Sequence, residues 1–228
     1  MPTLTAPLEE ARENLRVIRQ TMERSTKYST LSGLSGVLIG LVAIVGVLIT
    51  HFLKSPFAEA QQWPYPWGGS VSGDVAFPNP PPFEVIRYYA LQIGAIWTAV
   101  LVIAVAIEFV ANKRRAAGVG KHVVSPLGAH IVLAALPGFL AAAVLTAFFV
   151  MHGLLFSIWG VWMLCYGLAI CAVGLFSVKP VSALGAAFVL AGAVTLLLPP
   201  AAQLPMMAVT FGGFHIGYGV LMARRHGW

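Results

Sequence analysis

Six histidines, two cysteines and a single acidic residue embedded in apolar sequence are the groups of this chain best suited to coordination or proton chemistry. His130 lies a little over one turn into the third of six apolar stretches, and His215 about two turns from the end of the sixth. Their depths are therefore similar. Two facing imidazoles can ligate a haem iron axially, which makes His130 and His215 the candidate cofactor-binding pair. His51 and His152 fall at the opposite ends of their stretches. His130 and His152 are about 33 Å apart along a helix rising 1.5 Å per residue, a separation that suits two interface histidines better than two stacked haem sites. The plainer expectation for His215 is a hydrogen bond across a helix interface.

Glu108 is the acidic residue inside an apolar stretch, one turn before the run Asn112–Arg115. Pairing with Arg114, Arg115 or the terminal Arg224 and Arg225 would account for it. A proton or cation relay needs ionisable groups at several depths, and one carboxylate at the rim does not supply them. Cys165 and Cys171 share the fourth stretch on different helix faces, which suggests thiols without a disulfide or metal role. The sequence contains no phosphate-binding glycine loop, no Gly-x-Ser-x-Gly, no His-Glu-x-x-His and no Cys-x-x-Cys. We therefore assign no catalytic or metal-binding residue and expect a non-enzymatic protein.

The elements that carry these residues are set by composition. Of 228 residues 58% are hydrophobic and 10% charged, against about 25% charged in soluble domains, so the chain needs lipid as its solvent. Windows of about 20 apolar residues place membrane spans at 31–53, 85–111, 126–151, 154–178, 181–198 and 204–223. Backbone groups in hydrocarbon must be satisfied within the segment, so the fold class is all-α, a six-transmembrane-helix bundle. All of the 14 lysines and arginines except Lys54 and Arg87 fall on one side of these spans. The positive-inside tendency puts that side, with both termini, in the cytoplasm, as an even number of spans requires. The net charge of +6 then faces anionic headgroups, and nucleic-acid binding is not needed to explain it. The first thirty residues lack a short apolar region with a cleavage site, so the first span is expected to be an uncleaved anchor.

Three further patterns bear on partners. Within residues 1–30, Leu8, Ala11, Leu15, Ile18 and Met22 recur at alternating spacings of three and four, the narrow stripe of an amphipathic helix that packs on protein. Mixed charges on its other faces argue against a purely lipid-bound helix. The outer loop 54–84 interleaves seven prolines with aromatics, which excludes a regular helix. It reads as an aromatic belt at the headgroups or as a lid for a partner. Glycines Gly153, Gly160, Gly167 and Gly174 recur every seventh residue, Gly185 and Gly192 repeat the interval, and Gly36/Gly40 and Gly213/Gly217 have the small-x-x-x-small spacing of close helix pairs.

The carboxyl-end run Phe211-Gly212-Gly213-Phe214-His215-Ile216-Gly217-Tyr218-Gly219, followed by Ala223-Arg224-Arg225-His226-Gly227, resembles a family of uncharacterised bacterial six-helix integral membrane proteins. Glu13-Asn14-Leu15-Arg16-x-Ile18-Arg19-x-x-Met22-Glu23-Arg24-Ser25 is similar to the same family's amino end, and residues 162–174 to its centre. The outer loop is longer than that family's pattern. The resemblance implies location and topology and transfers no catalytic residue.

These readings converge on an interaction, accessory or regulatory protein. Its contacts would be Leu8, Leu15, Ile18, Met22, Arg224 and Arg225 in 1–30 and 224–228, its partner another membrane or cytoplasmic protein or a second copy. A haem-binding redox subunit is the alternative. A small-molecule transporter or channel is the third reading, with only Thr98, Thr146 and Thr195 as midplane polar groups.

Overall fold

The computed structural model describes residues 13–16, 33–53, 83–118, 126–152 and 154–226, with backbone alone at 115–118, 126, 127 and 226. Its helices are α1 (Gly33–Phe52), α2 (Phe83–Gly118), α3 (Pro126–Met151), α4 (Ser157–Gly174) and α5 (Lys179–Leu197). A composite last span follows, made of α6 (Pro200–Met207), a π-helical segment (Ala208–Phe214) and α7 (His215–His226). Among the described residues, six helices are long and apolar enough to cross a membrane. The chain is thus an all-helical bundle of multi-pass type. Most of the outer loop 54–84, Gly153, and the amino-terminal stripe apart from Leu15 lie outside the described residues. Residues 13–16 are helical, with Arg16 paired to Glu13 at 3.0 Å and Leu15 67% exposed.

Helix starts follow local chemistry. Pro126, Pro180 and Pro200 occupy first turns, where a missing N–H removes no bond and the fixed φ is already helical. At 36 residues, α2 runs about 54 Å, longer than the ~30 Å hydrocarbon core.

Glycines determine which helices meet. A Cβ at Gly36 would stand 2.8 Å from the Gly219 Cα, and at Gly33 2.6 Å from the Ala223 backbone, so α1 and α7 pack antiparallel with their backbones nearly touching. Gly160 faces Gly192, Gly167 faces Gly185 and Gly174 faces Ser182 along the α4/α5 pair. Gly138 on α3 meets the Cys165 carbonyl and Ala169 on α4, and Gly46 on α1 meets Val100 on α2. Each pairing is antiparallel, so Gly33, Gly118, Pro126, Gly174, Lys179 and Arg224 share one end of the bundle. That end carries Lys113, Arg114, Lys179, Arg224 and Arg225 on exposed positions.

The last span departs from a simple helical reading. Its buried residues run Gln203, Met207, Thr210, Gly212, His215, Gly219, Met222 and Ala223. Continuing the α-helical stripe from Gln203, Met207 and Thr210 would bring Phe214, Gly217 and Leu221 inward. The π segment holds about one residue more per turn, which delays the stripe by one position and turns in His215 and Met222 instead. This corrects the expectation for Gly213 and Gly217: both are exposed, and Gly212 and Gly219 make the backbone contact with α1.

Rings fill the middle of the bundle. Trp97 lies 6.0 Å from both Trp159 and Trp162 and 5.9 Å from Phe211, and Phe188 lies 4.9 Å from Phe211. Two indoles are tied down. The Trp97 N–H donates to Thr50 Oγ1 at 3.2 Å and the Trp162 N–H to Thr146 Oγ1 at 2.7 Å, while each threonine hydroxyl donates to a carbonyl four residues back. Gly167→Ala places its Cβ 2.7 Å from the Val189 nitrogen and 2.8 Å from the Gly185 oxygen. Since backbone cannot yield as a side chain does, this variant should lose roughly 1–3 kcal/mol, read as a lowered Tm in detergent; an unchanged Tm would refute the α4/α5 contact.

Candidate functional site

A polar contact between α4 and α7 lies inside the described bundle. His215 is 6% exposed, and its Nδ1 lies 2.9 Å from the Phe211 carbonyl within the π segment. A carbonyl only accepts, so Nδ1 carries the proton and Nε2 offers its lone pair. The Tyr166 hydroxyl, 2.7 Å away on α4, donates to that lone pair. Phe188, Phe211 and Tyr166 surround the imidazole at centroid distances of 5.4, 6.2 and 5.6 Å. Tyr166 sits midway along α4, so the pair lies near the centre of the bundle. Both polar partners come from different helices, and the bond fixes their relative rotation.

One turn after His215, Tyr218 follows on α7, nearer the basic end. Its hydroxyl is buried without a hydrogen-bond partner among the described residues. Glu108 and Asn112 sit on the inward side of α2, and the Asn112 side-chain N–H donates to Glu108 Oε1 at 3.1 Å. Glu108 is three helical turns beyond Trp97 and so shares its bundle-facing side. Asn112 is 8% exposed, and its Oδ1 is unpartnered.

This corrects the expected pairing of Glu108. Among the described residues it bonds Asn112 instead of Arg114, Arg224 or Arg225, which are exposed to solvent or headgroups, and the Arg115 side chain lies outside them. The reason is rotational: the inward side of α2 holds Glu108 and Asn112, while Lys113 and Arg114 face outward.

The two candidate haem histidines have different surroundings. His130 is exposed on α3 with its ring 6.5 Å from Phe176, in the connection between α4 and α5. His215 does not fit an axial ligand, because its Nε2 lone pair is engaged by Tyr166 and three rings close around it. His51 packs on Phe52, and His152 stacks on Phe148 at 4.1 Å while its Nδ1 lies 2.8 Å from the Phe148 carbonyl. Cys165 and Cys171 are free thiols, and the Cys171 S–H faces the Ser182 carbonyl at 3.9 Å. Thr195 bonds Ala191 and Met163, Thr146 anchors Trp162, and Thr98 faces outward.

Sequence reasoning placed His215 at a helix interface but missed Tyr166, Tyr218 and Asn112. The signal available was Tyr218 three residues after His215, which puts the two on one helix face. Comparison with protein-family models, curated proteins and solved structures finds no match to this chain.

Tyr166→Phe removes the donor to a buried acceptor at almost constant volume. Leaving such a group unsatisfied costs about 1–3 kcal/mol, so the variant should unfold at lower temperature than wild type, whereas His130→Gln should not; equal stability of all three would refute the bond. Haem added to the purified protein should give no Soret spectrum of a histidine-ligated iron. A stoichiometric spectrum lost in His215→Gln would overturn this assignment.

Proposed function

We propose that this chain is a non-enzymatic component of a bacterial inner membrane, with both termini in the cytoplasm, whose role is to hold a membrane-spanning helix of another protein or of a second copy against its outer surface. The supporting observation is a pair of glycines with no neighbour. Glycine inside a helix costs roughly 0.5–1 kcal/mol relative to alanine, which close backbone approach offsets at Gly36, Gly160, Gly167, Gly185, Gly192 and Gly219. A Cβ at Gly94 or Gly217 would meet nothing within 4 Å. Gly94 lies between Ala90 and Thr98 in a shallow groove on the outer side of α2. Gly217 follows Gly213 at the same four-residue spacing on the exposed side of the last span. Such surfaces admit a second helix closely in lipid.

Two further features favour interaction. In the most apolar window of α2 only 11% of residues are buried, and in that of α3 none, so much of both surfaces is left to lipid or a partner. The ring cluster around Trp97 and Phe188 fills the bundle where a transport path would run. Outside the bilayer, Leu8, Leu15, Ile18 and Met22 with Arg224 and Arg225 supply a second contact. The cytoplasmic placement rests on the basic end of the bundle, and the resemblance to bacterial six-helix membrane proteins agrees with it.

Gly94→Leu and Gly217→Leu put side chains into open space, so both should leave Tm unchanged and sharply reduce a cross-linked adduct recovered from native membranes. An adduct undiminished in both would contradict the proposed surfaces. Reporter fusions at residues 1 and 228 should both report the cytoplasm; one periplasmic reading would overturn the orientation.

A further inference from the structure

We propose that α2 of a second copy of this chain occupies the groove beside Gly94, the two helices running parallel about a two-fold axis normal to the membrane. This rests on the function proposed above and assigns one of its outer surfaces to self-association. Three features of α2 favour that occupant, and each involves a different kind of group.

The first is a hydroxyl in hydrocarbon. Thr50, Thr146, Thr195 and Thr210 each donate to the carbonyl four residues back, which is how a threonine satisfies itself within its own helix. Thr98 is exposed and makes no hydrogen bond among the described residues. Along α2 it lies about 16.5 Å from Arg87 and about 22.5 Å from Lys113 at 1.5 Å per residue, so it stands in the middle of the span, where lipid offers no partner. A two-fold axis beside it supplies one. The Thr98 hydroxyls of the two copies can bond each other, one donating and one accepting.

The second is shape. Gly94 is one turn before Thr98, a Cβ there would meet nothing within 4 Å, and both residues line the same groove. A glycine at the crossing point lets two backbones approach until hydroxyls one turn away can meet. Arg87, Leu91, Gly94, Thr98, Leu101 and Val105 follow one another at alternating intervals of four and three, the stripe that keeps facing a parallel helix along its length. All of them except Gly94 are exposed.

The third is charge. Copies inserted with the same orientation bring α2 against α2 in parallel, and each residue then stands level with its own counterpart. Glu84 and Arg87 precede Leu91 by seven and four residues, which keeps them on the side of the helix that Leu91 occupies. Both are exposed, and neither has an ion pair among the described residues. One turn separates them, so Arg87 of each copy can reach Glu84 of the other across the axis. A single pattern thus yields two reciprocal pairs.

The test uses the full-length chain in bilayers, by proximity and by affinity. With Cys165 and Cys171 replaced by alanine, Thr98→Cys should oxidise to a disulfide-linked pair of chains, whereas Ile103→Cys, about 140° round the helix, should not. In the native-cysteine chain, energy transfer between donor-tagged and acceptor-tagged copies diluted in lipid should show Thr98→Val pairing about threefold more weakly and Gly94→Leu monomeric. Glu84→Arg and Arg87→Glu should each weaken pairing, and the chain carrying both exchanges should regain it, which misfolded variants would not do. Pairing that survives Gly94→Leu, or is not regained in the double exchange, overturns the inference. A wild-type chain that stays monomeric also overturns it; if Gly94→Leu still removes an adduct recovered from native membranes, the groove holds a different protein and the function proposed above stands.

Discussion

Lipid offers apolar helices no hydrophobic reason to leave it, because acyl chains are as apolar as leucine. What holds such a bundle is dispersion between closely approaching surfaces and the few hydrogen bonds made between helices. In this chain the close approach is concentrated where glycines of two helices meet, at Gly36 with Gly219, Gly160 with Gly192 and Gly167 with Gly185. Those contacts fix rotation as well as distance, since a helix turned by one residue would drive a side chain into its neighbour's backbone. Rotation in turn decides which polar groups face one another. The hydrogen bond between Tyr166 and His215 is a consequence of two glycine-set rotations meeting at one point.

The π segment is the adjustment that makes these demands compatible. Upstream, Gln203, Met207 and Thr210 bury one stripe, and downstream Gly219 must meet Gly36. A continuous α-helix satisfies one of these but not both. One wider turn shifts the register and brings an imidazole into a ring cage. Isolated π turns are common at functional sites, and here the turn also accepts the histidine's Nδ1–H through the Phe211 carbonyl.

The fold class was legible because hydropathy over about 20 residues reports lipid as solvent, whatever the tertiary detail. The seventh-residue spacing of Gly160, Gly167 and Gly174 was legible for a similar reason: an uninterrupted helix keeps such positions on one face. Gly213 and Gly217 misled for the converse reason. Their four-residue spacing gives a shared face but not its direction, which is outward beyond the π segment, and nothing in local composition announces a π turn. Glu108 misled because charge complementarity ignores direction: Arg114 faces outward, and the described partner is Asn112 one turn on. Tyr166 could not be paired with His215 from sequence, since 49 residues separate them and only packing brings them together.

The protonation state of one imidazole reports directly on this chain of causes. If the glycine contacts and the π turn set the last span as described, nitrogen NMR of histidine-labelled protein in bilayers at neutral pH will show His215 as a neutral ring with its proton on Nδ1 and a hydrogen-bonded, unprotonated Nε2. A proton on Nε2 instead, or a ring in rapid exchange between tautomers as solvent-exposed imidazoles are, would mean that the last span is turned away from Tyr166 and would contradict the account.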